Sequence, residues 1–112
     1  GILPDQVPQH GEGVWLPFFG RPAYTMTLAA RFSQIREVAT FFVYVTRGKW
    51  GRYDFHVQPT PPLEGDEAAR ALTINREIEK IVLQQPDQYF WSYNRYKAPN
   101  LAADASRQTI GQ

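Results

Sequence analysis

The chain has 112 residues, a net charge of +1, 43% hydrophobic residues and 21% charged residues. These values suit a single domain with a modest core and exclude disorder throughout, and a charge of +1 excludes nucleic-acid binding driven by bulk electrostatics. There is no cysteine, so disulfide and thiolate chemistry are excluded; the 3 Trp, 6 Tyr and 7 Phe are more rings than so small a chain can hide, which predicts an aromatic surface that meets lipid, ligand or protein.

Residues 1–25 read as an irregular opening loop, punctuated by Pro4, Pro8, Gly11, Gly13, Pro17, Gly20 and Pro22. The loop is nevertheless apolar, with Val14, Trp15, Leu16, Phe18, Phe19 and Tyr24, and so must pack on something or line a pocket. Residues 26–38 read as a helix with Thr25 as N-cap, because Leu28, Phe32 and Ile35 fall at i, i+4 and i+7. Residues 40–47 carry the β-branched and aromatic signature of a strand; both faces are apolar, which predicts a central strand. A turn at residues 47–52 leads into an alternating strand at 53–58, with Tyr53, Phe55 and Val57 on one face and Asp54, His56 and Gln58 on the other. The two form an antiparallel pair, the second strand near an edge.

Pro59, Pro61 and Pro62 end that strand, and Asp66 caps the best helix of the chain. Its buried stripe is Ala71, Ile74, Ile78 and Val82, with Ile81 beside it. Pro86 stops the helix and opens one more short turn. An aromatic tail follows, and residues 99–112 are expected to be a flexible end. The pattern is mixed α/β. Two strands alone make a barely stable sheet, so further strands upstream are expected. The chain begins at Gly1, on what reads as a strand end, and is therefore expected to be a piece of a longer protein. No apolar run approaches the ~20 residues that a membrane span needs.

Chemistry is sparse. The two histidines, His10 and His56, lack a carboxylate five positions on, where Trp15 and Pro61 stand. No Gly-x-Ser-x-Gly elbow, His-Glu-x-x-His or Walker loop is present. His10, beside Glu12, suits either a base or a solvated loop residue; His56 reads as an exposed strand residue. Two histidines without cysteine give no metal-ligand spacing, and no cofactor is implied. Asp5 follows an apolar strand end, where α/β sheets place ligand-contacting groups, and the nearby glycines allow backbone approach to an anion.

The run Leu3-Pro4-Asp5-Gln6, then Gly13-Val14, then Phe18-Phe19-Gly20-Arg21-Pro22-Ala23-Tyr24-Thr25 resembles the DQ…G-V…FFG-x-x-A-x-T block of bacterial lipid A biosynthesis acyltransferases. The Leu28-Ala29-Ala30-Arg31 segment resembles that family's small-residue helix. Gln85-Pro86-Asp87-Gln88-Tyr89-Phe90-Trp91-Ser92-Tyr93-Asn94-Arg95-Tyr96-Lys97 resembles its P-[ED]-Q-Y-x-W-x-x-x-R-[FY]-K signature. The resemblance covers residues 1–98, read as the C-terminal part of an acyltransferase domain. It implies a partial glycerolipid-acyltransferase-like α/β fold. It also implies transfer of a fatty acyl chain from acyl carrier protein to a hydroxyl of a lipid A precursor, on the cytoplasmic face of the bacterial inner membrane.

In that family a His-x-x-x-x-[DE] dyad supplies the base and its orienting acid. The dyad is absent here, so this segment alone is expected to be inactive. By the same resemblance Asp5, with Gln6, orients substrate or a neighbouring cation, while Gly13, Phe18, Phe19 and Gly20 shape the pocket. Arg95 and Lys97 meet lipid phosphates or the acidic carrier protein, or are solvated or packed tail residues. At the turn, Trp50 among Arg47, Lys49 and Arg52 suits either an anionic membrane surface or a solvated tip. The tail rings read as a seam packed on other protein rather than as a stacking platform for nucleic acid, which is not an expected partner. The competing reading of the whole is a non-catalytic, aromatic-rich module that binds lipid or an acidic partner protein.

Overall fold

A computed structural model of the chain describes residues 1–35, 38–89 and 92–99. It is a mixed α/β arrangement of two separate antiparallel strand pairs and one long helix. The strands are β1 (Gly13–Phe18), β2 (Arg21–Met26), β3 (Phe41–Arg47) and β4 (Tyr53–Pro59); the helices are α1 (Leu28–Phe32) and α2 (Glu67–Gln84).

The opening loop corrects the sequence expectation, because residues 13–26 form a hairpin. Phe19 and Gly20 make its two-residue turn, both at positive φ (49° and 76°), the geometry whose twist matches that of paired strands. Phe18 and Arg21 flank that turn as a hydrogen-bonded pair, so Pro17 and Pro22, opposite each other, fall at a non-hydrogen-bonded pair. Their missing N–H groups would point away from the partner strand, and the prolines therefore cost the ladder nothing. Gly13 is required by space: a Cβ there would lie 2.5 Å from the Thr25 carbonyl oxygen and 2.8 Å from Pro8 Cγ.

The helix expected over 26–38 is also corrected. α1 holds five residues, Thr27 rather than Thr25 stands at its N-cap, and Thr25 is a buried β2 residue. Leu28, Phe32 and Ile35, the anticipated buried stripe, are exposed, while Ala30 is buried. The small Ala29–Ala30 pair is what lets α1 approach α2; Arg31 adds an ion pair to Glu67. Residues 36 and 37 lie outside the described residues.

α2 follows the sequence closely. Asp66 Oδ1 accepts from the Ala69 N–H at 2.8 Å, and Ala71, Ile74, Ile78 and Val82 are buried as expected. The core is built where this stripe meets Phe18 and Ala23 of the first hairpin. Asn75, fully buried, bridges the same interface through Nδ2 to Thr25 Oγ1 (3.0 Å) and to the Pro17 carbonyl (3.4 Å).

β3 and β4 pair as expected, with Val43 opposite Val57 and Val45 opposite Phe55. Among the described residues, however, β3 has no second strand neighbour, so it lies at an edge and not in the centre of a sheet. The hairpin also turns its more apolar face outward. Phe41, Val43, Val45, Tyr53, Phe55 and Val57 are all exposed, while Phe42 and Tyr44 face α2. On that inner face His56 stacks on Tyr44 (ring centroids 4.6 Å apart) and hydrogen-bonds Thr46 Oγ1 at 2.8 Å. His56 is thus half-buried rather than an exposed strand residue.

After α2, Pro86–Gln88 makes a short 3₁₀ turn, as Pro86 predicted. Phe90, Trp91 and residues 100–112, part of the expected aromatic cluster and most of the expected flexible end, lie outside the described residues. Replacing Gly13→Ala should lower folding stability by about 1–3 kcal/mol through overpacking against backbone. Asp66→Ala, which removes only a cap, should cost about 1 kcal/mol. Denaturant midpoints of the two variants measure both.

Candidate functional site

Two stretches far apart in sequence, the opening segment and the tail, meet over the first hairpin. The Val7 N–H donates to Tyr93 Oη at 2.9 Å. Tyr96 Oη donates to the Phe18 carbonyl at 2.7 Å. Arg95 enters between them: one terminal nitrogen donates to the Tyr24 carbonyl (2.7 Å) and the other to Thr25 Oγ1 (3.1 Å). Its guanidinium also lies 5.3 Å from the centre of the Phe18 ring. Arg95 is only 2% exposed, and among the described residues its Nε and Asn75 Oδ1 are buried polar atoms without a partner. Both border Thr25, so the centre of this seam is polar and tightly enclosed.

Burial lowers the Arg95 guanidinium from its ordinary value, and the neighbouring Tyr89, Tyr93 and Asp5 pull the other way. Burial likewise pushes the Tyr89 hydroxyl up, with the negative charge of Asp5 adding to the effect. Asp5 therefore acts electrostatically on both tail residues from the opening segment. It also lines a cavity of about 260 Å³ between the opening segment, β3 and α2, whose walls include Leu3, Tyr44, Ile78, Val82 and Tyr89.

The residues singled out from the sequence separate accordingly. Asp5 is half-buried at the cavity wall, and Gln6 beside it is exposed. Gly13 donates its N–H to Tyr24 Oη at 3.2 Å, as Gly11 does at 3.0 Å. Phe18 is buried in the core, and the Phe19 N–H donates to Glu79 Oε1 at 2.7 Å. Gly20 is at the exposed hairpin turn. Lys97 is exposed, with Nζ 5.4 Å from the Tyr93 ring centre. His10 is exposed in the opening loop. Among the described residues no group of three His, Cys, Asp or Glu side chains could hold a metal ion, and no helix is long and apolar enough to cross a membrane.

Sequence reasoning gave Thr25 to a helix N-cap and passed over Asn75. Asn75 stands four residues after Ala71 and one after Ile74, so its place on the buried face was signalled by spacing, although its polarity argued for the wet side. The Arg21 guanidinium lies over the Tyr96 ring, 4.1 Å to the centroid, a cation–π contact between the first hairpin and the tail.

A family profile described as bacterial lipid A biosynthesis acyltransferase matches residues 1–98. Over 94 residues the chain is 31% identical to a protein of Haemophilus influenzae named lipid A biosynthesis acyltransferase; the match takes in 80% of this chain and 28% of that relative. The chain thus spans well under half the length of the curated relative it matches.

Arg95→Met should lower stability by about 1.5–3 kcal/mol, because charge-assisted hydrogen bonds from a buried group are lost and their acceptors stay buried. Arg95→Lys should recover little, since one ammonium does not reproduce a fork aimed at two acceptors. Lys97→Met, at the surface, should stay within about 0.5 kcal/mol of the parent chain. Thermal unfolding of the three variants measures the contrast.

Proposed function

Since the chain belongs to the bacterial lipid A biosynthesis acyltransferase family, we propose that it forms the C-terminal part of a longer enzyme with a glycerolipid-acyltransferase-like fold. That enzyme moves a fatty acyl chain from acyl carrier protein to a hydroxyl of a lipid A precursor, on the cytoplasmic face of the bacterial inner membrane. A histidine outside this chain, oriented by an acid five residues on, takes the proton of the acceptor hydroxyl. The hydroxyl oxygen then attacks the acyl carbonyl, and the carrier leaves with the proton that the histidine returns. This chain holds no such dyad, and alone it is inactive.

The observation that carries the reading is the meeting of the two stretches most like the family. The opening segment with Asp5 and the tail with Tyr89, Tyr93 and Arg95 are hydrogen-bonded and electrostatically coupled across most of the chain's length. A negative side chain held at the wall of a largely apolar cavity suits the positioning of a substrate that is part headgroup and part hydrocarbon. The aspartate orients the acceptor or a cation beside it, with Gln6 next to it. Lys97, exposed on the tail, is free to meet a lipid phosphate or an acidic face of the carrier protein. Trp50, 98% exposed beside Lys49, suits contact with an anionic membrane surface.

In the full-length enzyme, Asp5→Asn should lower acyl transfer by roughly 10–100-fold through misplacement of the acceptor, with the thermal midpoint unchanged. Turnover equal to that of the wild type would remove Asp5 from the site. Radiolabelled acyl transfer and differential scanning calorimetry on one preparation give both readings.

A further inference from the structure

The Asp5 carboxylate stands at the cavity wall without a hydrogen bond from any described residue, so its place follows from the backbone that carries it. That backbone has little freedom. Pro4 fixes φ ahead of Asp5, and Leu3 and Val7, each followed by a proline, are biased to extended conformations. A turn at residues 4–5 lies between these stiff ends, leaving Asp5 and Gln6 as the residues whose backbone is free to rotate.

The stretch after Asp5 is tied down at two places. Farther along, Pro8 packs on Gly13, where a Cβ would lie 2.8 Å from Pro8 Cγ, and the Gly11 and Gly13 N–H groups both donate to Tyr24 Oη. Closer to Asp5, the Val7 N–H donates to Tyr93 Oη at 2.9 Å. Among the described residues this is the hydrogen bond that joins residues 1–8 to a distant part of the chain. The donating nitrogen belongs to the peptide plane between Gln6 and Val7, one residue from Asp5.

Tyr93 is in turn held by its neighbour. Two residues on, Arg95 buries its fork on the Tyr24 carbonyl and Thr25 Oγ1, and the Arg95 N–H donates to the Tyr93 carbonyl at 2.9 Å. We propose that Tyr93 is a positioning residue: its hydroxyl, anchored through the tail, fixes the Val7 backbone and thereby the Asp5 carboxylate at the cavity wall, without touching substrate itself. The inference rests on the reading of Asp5 as the group that orients the acceptor.

The tail divides its contacts in a way that supports this role. Arg95 and Tyr96 bond to the first hairpin, which builds the core, whereas the Tyr93 hydroxyl is spent on a segment outside every helix and strand. Tyr93 is half-buried, so a Val7 N–H deprived of Oη can turn to water. A phenylalanine there keeps the ring and its contact with Lys97. Loss of the hydroxyl therefore frees the Asp5 segment more than it weakens the fold.

A double-mutant cycle on the full-length enzyme tests the proposal. Tyr93→Phe should lower acyl transfer roughly 10-fold through a misplaced Asp5, with the thermal midpoint within about 4 °C of the wild type. In the Asp5→Asn background the same substitution should change turnover by less than about twofold, because the group that it positions is already gone. An equal loss in both backgrounds would overturn the proposal, since the hydroxyl would then act on the fold at large. So would a Tyr93→Phe enzyme with wild-type turnover, or one that no longer folds. Asp5→Asn alone reports separately on the functional reading. If that variant turns over at the wild-type rate, the reading falls and the positioning role with it. If it is slow while the cycle is additive, the reading stands and only the role of Tyr93 is lost.

Discussion

The placement of one guanidinium organises this structure. Arg95 is drawn under the first hairpin, donating to a β2 carbonyl and to Thr25 Oγ1, and the same hydroxyl accepts from Asn75 of α2. Tail, hairpin and long helix therefore share a single oxygen, and the Thr25 hydroxyl itself donates to the Ala23 carbonyl. Burying a cation is costly unless its donors are met. The geometry meets two of them with oxygens and lays the π face of Phe18 beside the cation. The aromatic residues around Arg95 then have defined places, because a tail fixed at Arg95 brings Tyr93 to Val7 and Tyr96 to the Phe18 carbonyl.

This changes what the family-like residues mean physically. Gly13, Phe18 and Arg95 act as parts of a joint: a glycine that admits a carbonyl, a ring that fills the core and a cation that bolts the tail down. Their resemblance to family positions is accounted for by packing. Asp5 differs, since the hydrogen bonds that fix the joint do not need it, yet its charge reaches both Tyr89 and Arg95. Its carboxylate stands at the cavity wall and bears on the buried cation without a hydrogen bond to it.

What could be read from the sequence depended on whether periodicity or backbone direction decided the outcome. α2 was legible because Asp66, the Ala71–Val82 stripe and Pro86 all speak to one helix. The β3–β4 hairpin was legible because alternation and β-branching mark strands. The first hairpin was not: eight prolines and glycines in 25 residues argue for a loop, and only the direction of each N–H reveals that Pro17 and Pro22 are harmless. α1 misled in the opposite way. Its apolar spacing is genuine, but α1 approaches α2 through its alanines, and the large residues are left outside. In the candidate site, Asp5 and the tail were marked by their resemblance to the family, as was Thr25, though it was read as a helix cap; Asn75 went unmarked because a buried polar residue carries no periodic signal of its own.

The second hairpin departs from this packing. A strand that is apolar on both faces satisfies binary patterning only where both faces are covered. In β3 one face meets α2 and the other is exposed, and among the described residues Gln88 meets the outward backbone groups at the Arg47 end. The Val43–Val57 and Val45–Phe55 pairs lie on that exposed outer face, while Phe42 on the inner face packs against the core. Among the described residues, more large apolar side chains are exposed than are buried in the core.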